Sequence, residues 1–286
     1  MLVGVFASAV VQQRLRGEVV ARWMPRHRLP AVLLGSLFGL VAPVCDCGAV
    51  PLGRRLMAKG VPVAAAVSFL LAAPVLNPVT LAATAVAFSG NLAIVLLRAG
   101  MTLSVAGGVG LLVAHLGSVR FGVPVLAAPL EDADKTAQPA LTGGRGRRVR
   151  LALVDLVGHA SSECTDVLFF VVLGALFTAA SQTLVPRADI VALGGLHAGS
   201  VLALMPVATL LSICSEADAF VARAFASSFS TGAVLAFMTI GQVVDLRNGL
   251  LIWRTLGGRL LLLIVLVSYP LVFVEGVVLN RILSGP

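Results

Sequence analysis

Long apolar stretches, one after another, constrain this chain more than any other feature. Seven can be read along it: Leu29 to Val50, Pro62 to Phe88, Leu92 to Leu116, Val167 to Leu184, Val191 to Ile213, Phe225 to Val244 and Leu260 to Leu279. A membrane-spanning helix needs about 20 mainly apolar residues, and most of these stretches supply them. The rest of the sequence cannot cover so much apolar surface with water: 58% of residues are hydrophobic and 12% charged, where a soluble domain carries about 25% charged residues. The expected fold is an all-α integral membrane protein of about eight hydrophobic helical segments.

The eighth segment, Leu2 to Val11, is short. It covers only about 15 Å at 1.5 Å per residue, half the hydrocarbon thickness, so the first helix is expected to extend upstream of Met1.

The net charge of +8 is explained by placement rather than by nucleic acid. Arg14, Arg16, Arg22, Arg26 and Arg28 share one short loop, Arg54, Arg55 and Lys59 a second, and Arg145, Arg147, Arg148 and Arg150 a third. Basic loops of this kind anchor the cytoplasmic side of a membrane protein, which predicts an inner-membrane, multi-pass chain with a cytoplasmic linker at 117–150. Lipid is the implied surface partner.

The sequence also resembles itself. LVGVFASAVVQ (2–12) aligns with VLGALFTAASQ (172–182), Cys45 falls on Cys214, Phe69 on Phe237 and Asn77 on Asp245. Three regions follow: a first membrane repeat at 1–116, a linker with an amphipathic interfacial helix at 117–164, and a second membrane repeat at 165–286. If Leu29 to Met57 enters the bilayer and returns, all three basic loops become cytoplasmic and the halves are inverted. Inverted repeats with broken helices recur among transporters; eight full crossings with an imperfect charge bias is the plainer alternative.

Chemistry concentrates where the apolar segments are interrupted. PVCDCGAVP (43–51) sets Cys45, Asp46, Cys47 and Gly48 between two prolines. Proline and glycine both oppose a continuous helix, so the backbone is expected to unwind here. An acid at the centre of a spanning helix costs roughly 2.5 to 3.5 kcal/mol on insertion scales, and so marks a pathway or a partner. The duplicated position carries Cys214, Glu216 and Asp218, while Asn77 and Pro78 interrupt one later segment and Asp245, Arg247 and Asn248 its counterpart. Interruptions at corresponding places in two halves point to a transport site, so these motifs are expected to converge near the midplane. Each also has a plain reading: buried thiols, a loop start, or a local ion pair at a helix end. Gly35 and Gly39 read as close helix packing.

No phosphate-binding loop occurs, and no histidine or carboxylate set has metal spacing. The expectation is therefore a transporter rather than an enzyme, with no cofactor and no resident metal. Its partners would be a small-molecule substrate and protons as coupling ion, the latter through Asp46, Glu216, Asp218 or Asp245. Two other classes stay open: an intramembrane thiol oxidoreductase using Cys45 and Cys47, and a non-transporting membrane subunit. The oligomeric state is not readable.

PVCDCGAVPLGRRLMAKGVPVAAAVSFLLAAPVLNPVTL (43–81), then ICSEADAFVARAF (213–225) and GQVVDLRN (241–248), resemble the ArsP/YraQ family of predicted permeases over nearly the whole chain. That resemblance implies an inner-membrane protein of about eight helices, and for some members efflux of trivalent organoarsenicals. The family's usual Cys-Ser-Cys-Gly stands here as Cys45, Asp46, Cys47, Gly48. Both thiols, the soft-metalloid contacts that the resemblance implies, are kept. Asp46 adds a negative charge, which disfavours anions and thiolate formation.

Overall fold

The computed structural model describes residues 27–41, 44, 46–58, 60–117 and 197–283. These residues are helical, with no strand among them, and form ten segments. They are α1 (Arg28–Val41), α2 (Asp46–Ala58), α3 (Val63–Leu76), α4 (Pro78–Ala87) and α5 (Leu92–Leu116), then α6 (His197–Leu211), α7 (Asp218–Phe225), α8 (Thr231–Val243), α9 (Leu246–Leu256) and α10 (Gly258–Leu283). The segments at 2–11 and 167–184, the linker and the interfacial helix lie outside the described residues.

Among the described residues, four stretches are long and apolar enough to cross a membrane: Val63–Ala87, Leu92–Leu116, Thr231–Leu256 and Gly258–Leu283. The first joins α3 to α4 and the third joins α8 to α9, so two of the four spans are broken. The broken pair lies inside the protein, with 83% and 72% of their apolar windows buried, against 39% for α5 and 22% for α10. That division follows from backbone chemistry. A break leaves amides and carbonyls without helical partners, and only a protein interior or a wet cavity can satisfy them in a bilayer. α10 runs without a break and, apart from the one bond lost at Pro270, satisfies its own backbone, so it can present Leu262, Leu266, Val274, Val278 and Ile282 to the outside.

Small residues let the helices approach. A Cβ on Gly35 would overlap the carbonyl of Ala65, and one on Gly39 would overlap the backbone of Ala73, so α1 lies directly on the alanine-rich α3. The Gly35 and Gly39 spacing is helix packing, as expected. In the second half a Cβ on Gly232 would strike the carbonyl of Gly276 and the side chain of Asn280, and the amide of Gly232 donates to Asn280 Oδ1 at 2.8 Å. Asn280 thereby satisfies a first-turn amide of α8 that has no helical acceptor.

The packing order runs in parallel. α3 packs against α1, α2 and α5, and α8 packs against α6, α7 and α10. Across the molecule α2 meets α9, and α7 meets α4, while α5 touches both α8 and α10.

One expectation about the backbone is corrected. The break in the apolar segment at 29–57 falls between Val41 and Asp46, and α2 then runs through Gly48 and Pro51 to Ala58. Gly48 therefore lies in the opening turn of a helix, not on unwound chain. Gly48 falls among the early residues whose amides lack helical acceptors anyway, whereas Pro51, sixth in α2, costs the bond its amide would make to the carbonyl of Cys47. At 14 and 13 residues, α1 and α2 each reach only about 20 Å, too short to span the hydrocarbon alone.

Candidate functional site

At the first break the sequence dictates its own repair. Asn77 caps α4, its Oδ1 accepting the amide of Val79 at 3.0 Å, and Pro78 takes the first helical position, where a missing N–H matters least. Helix continuity would have sent that N–H to the carbonyl of Pro74. The Thr80 hydroxyl donates to that carbonyl instead, at 2.9 Å. Asn77 and Thr80 are buried, while Pro78 is exposed.

The second break has the same position and different chemistry. Asp245 stands 14 residues after Thr231, as Asn77 stands 14 after Val63 (245 − 231 and 77 − 63). Its Oδ1 accepts the amide of Asn248, and its Oδ2 lies 3.4 Å from the Arg247 guanidinium. No proline removes the first amide of α9 here. Leu246 N–H donates to Ser212 Oγ at 3.1 Å, tying this break to the one between α6 and α7, where Ser212 itself has a left-handed φ of 45°.

Between α6 and α7, Cys214 and Glu216 are half-buried and joined, the thiol donating to Glu216 Oε2 at 2.9 Å. Asp218 opens α7 and is buried, 1% exposed. Its Oδ2 receives Arg98 Nη2 at 2.6 Å and Gln242 Nε2 at 2.8 Å. Arg98 Nη1 in turn donates to Thr84 Oγ1 at 2.6 Å. Four elements thus meet in one buried cluster: Thr84 from α4, Arg98 from α5, Asp218 from α7 and Gln242 from α8. Arg98 Nε, Asp218 Oδ1 and Gln242 Oε1 are buried there without a hydrogen-bond partner. A pair of opposite charges removed from water stabilises little on balance, but losing one partner leaves the other uncompensated at about 3 to 5 kcal/mol.

Of the residues expected from sequence, the structure brings Asp218 into this cluster and places Asn77 and Asp245 as caps of broken spans. Asn248 is buried in the first turn of α9. Cys45 and the side chains of Asp46 and Cys47 lie outside the described residues; the backbone of the latter two forms the first turn of α2. Sequence reasoning missed Arg98, Thr84 and Gln242. The signal for Arg98 was available, since it is the one arginine within an apolar 25-residue helix and lies well inside its ends, and an ionisable side chain inside a membrane marks a partner or a pathway.

With this geometry in place, comparison with known proteins becomes informative. The family model described as "Predicted permease" matches residues 1–281. The chain belongs to the predicted permease family. It is 36% identical over 274 residues to the UPF0718 protein YcgR of Bacillus subtilis, covering 96% of this chain and 89% of that one. It is 30% identical over 248 residues to a Streptococcus mutans protein described as a subunit of a two-component membrane permease complex, covering 87% and 79%. The UPF0718 protein YraQ of Escherichia coli is 27% identical over 262 residues, covering 82% and 73%. No solved structure matches the chain. Family and fold together make this permease a membrane protein of the transporter class.

Proposed function

We propose that this permease is a secondary transporter of two inverted halves, moving a small solute across the inner membrane between the two broken spans, with the linker at 117–150 in the cytoplasm. The observation that carries this reading is that the two capped breaks, at Asn77 and Asp245, sit in the two most buried spans. Irregular backbone at that depth is tolerated where it lines a cavity or is enclosed by protein, and helix ends there offer fixed dipoles to a solute. The parallel packing of α1–α5 and α6–α10 supports duplication of the halves.

The cargo is a thiophilic species, such as a trivalent organoarsenical, leaving the cell. Support for this comes from Cys45 and Cys47, a thiol pair beside the first turn of α2, because soft thiolate ligands select soft acceptors. Protons are the coupling ion, carried by one of the buried acids. Everted vesicles offered methylarsenite, inorganic arsenite and an uncharged thiophile test the cargo. Uptake by wild type that is lost in Cys45→Ser supports a soft-metalloid substrate; flux indifferent to Cys45 removes it.

A second reading has the chain working as one part of a two-component permease, favoured by the description of its Streptococcus mutans relative. Solute flux into liposomes holding the purified chain alone decides between them: flux without a second protein excludes an obligate partner.

A further inference from the structure

Of the acids open to the role of proton carrier, Asp218 is set apart by its surroundings. Glu216 receives a thiol two residues away. Asp245 spends one oxygen on its own helix and faces Arg247, two residues along. Asp218 alone among the described acids is paired with a cation from the other half of the chain, 120 residues distant. It lies where α7 crosses α4, with α5 and α8 closing the cluster. Among the described residues no other charge is seen to compete for it: α4 and α8 contain no ionisable side chain, and Arg223 of α7 stands over the Phe88 ring, 5.8 Å from its centre. The other ionisable side chain of α5, His115, is engaged with Arg28 at that helix's far end.

We propose that Asp218 is the proton-carrying carboxylate of the transport cycle and Arg98 its built-in counter-ion, so that the Arg98–Asp218 pair is a proton-operated latch between the halves. The inference rests on the secondary-transport reading. In the latched state the carboxylate is ionised and the cluster is neutral. A proton entering from water adds to a carboxylate oxygen, the N–H···O bond to Arg98 breaks, and the cluster gains one positive charge, since arginine keeps its proton. Gln242 is suited to both states. Its Nε2 donates to the ionised carboxylate, and its Oε1, buried and without a partner, can accept the O–H of the neutral acid after the amide turns over. Arg98 keeps its bond to Thr84 and so stays with α4 and α5. Loss of the pair therefore separates those helices from α7 and α8. When the proton leaves toward the opposite side the pair re-forms.

Hydrogen exchange of the purified full chain in lipid nanodiscs, read by mass spectrometry over a pH series and scaled to intrinsic exchange, tests this without any solute. Peptides covering α4 and α7 should exchange about 5-fold faster or more in acid than in neutral buffer, while peptides from α1 stay level. Asp218→Asn should be fast at every pH. Because that variant leaves Arg98 unpaired and can fail to fold, the double variant Arg98→Gln with Asp218→Asn is the second arm: both charges go, shape is kept, and the pH dependence should vanish. Wild-type exchange that ignores pH, or a double variant that keeps the wild-type profile, overturns the latch. If no solute is transported but the exchange profile follows pH, the transport reading fails while the proton-operated contact stands. Solute flux with pH-independent exchange sinks the latch alone.

Discussion

Two helix crossings, α7 over α4 and α2 over α9, are paired by the proposed repeat and are built from different chemistry. At the first, Asp218, Thr84 and Gln242 gather around Arg98. At the second, the spacing of 168 that relates Asn77 to Asp245 puts Ile252 where Thr84 stands and Pro74 where Gln242 stands (84 + 168 = 252, 74 + 168 = 242). The spacing of 169 between Cys45 and Cys214 puts Ala49 where Asp218 stands (218 − 169 = 49), and α10 has no basic residue between Arg259 and Arg281. Ala49 and Ile252 belong to the apolar core. At the positions so paired, the described residues carry no counterpart of the Arg98–Asp218 charges. An apolar crossing holds by packing in any protonation state, whereas a charged one can be opened by a proton.

Breaking the charged crossing should have the largest effect. Arg98→Leu alone strands the Asp218 carboxylate and should cost about 3 to 5 kcal/mol, seen as a lower melting temperature or aggregation on size exclusion in detergent. Ile252→Val at the equivalent place on the apolar crossing should cost only about 0.5 to 1.5 kcal/mol. Equal losses would mean that the ion pair contributes no more than ordinary packing.

The tight helix contacts come next and should behave alike in both halves. Gly39→Val and Gly232→Val each drive a side chain into neighbouring backbone or a capping amide, with an expected cost of at least about 1 to 3 kcal/mol from overpacking. Thermal denaturation of the two variants checks this, and a silent Gly232→Val would separate the second half from the first.

The two caps should differ in a graded way. Asn and Asp cap helices about equally well, so Asp245→Asn should change stability by less than about 1 kcal/mol. Asn77→Asp brings a charge to a buried cap with no arginine two residues on, and should be the more harmful. Smallest of all, Glu216→Gln retains a carbonyl acceptor for the Cys214 thiol and should leave the melting temperature within about 2 °C of wild type, the scale of a sub-kcal/mol surface change.

Much of this architecture could be read from sequence because the bilayer imposes strong rules. Long apolar runs had to be helices, and Asn-Pro at 77–78 and Asp-x-x-Asn at 245–248 carry the local signals of a helix stop followed by a capped restart. The cysteine motif misled because Gly48 and Pro51 were both weighed as helix breakers: the helix begins at Asp46, so Gly48 falls in its tolerant first turn, while Pro51 removes one backbone hydrogen bond without ending the helix. The ion pair was illegible for a different reason. Arg98 and Asp218 lie 120 residues apart, no local pattern joins them, and the repeat that guided the alignment contains no second copy of either.

Most directly at stake is whether water and solute reach the two breaks from the membrane surface. Single cysteines at Asn77, Asp245 and the outward-facing Leu266, each placed in a chain whose four native cysteines are serine, can be reacted with a membrane-impermeant thiol reagent in vesicles of both orientations. Labelling at 77 and 245 from at least one side, with none at 266, is the predicted result. Breaks as unreactive as 266 from both sides would contradict a pathway between the broken spans.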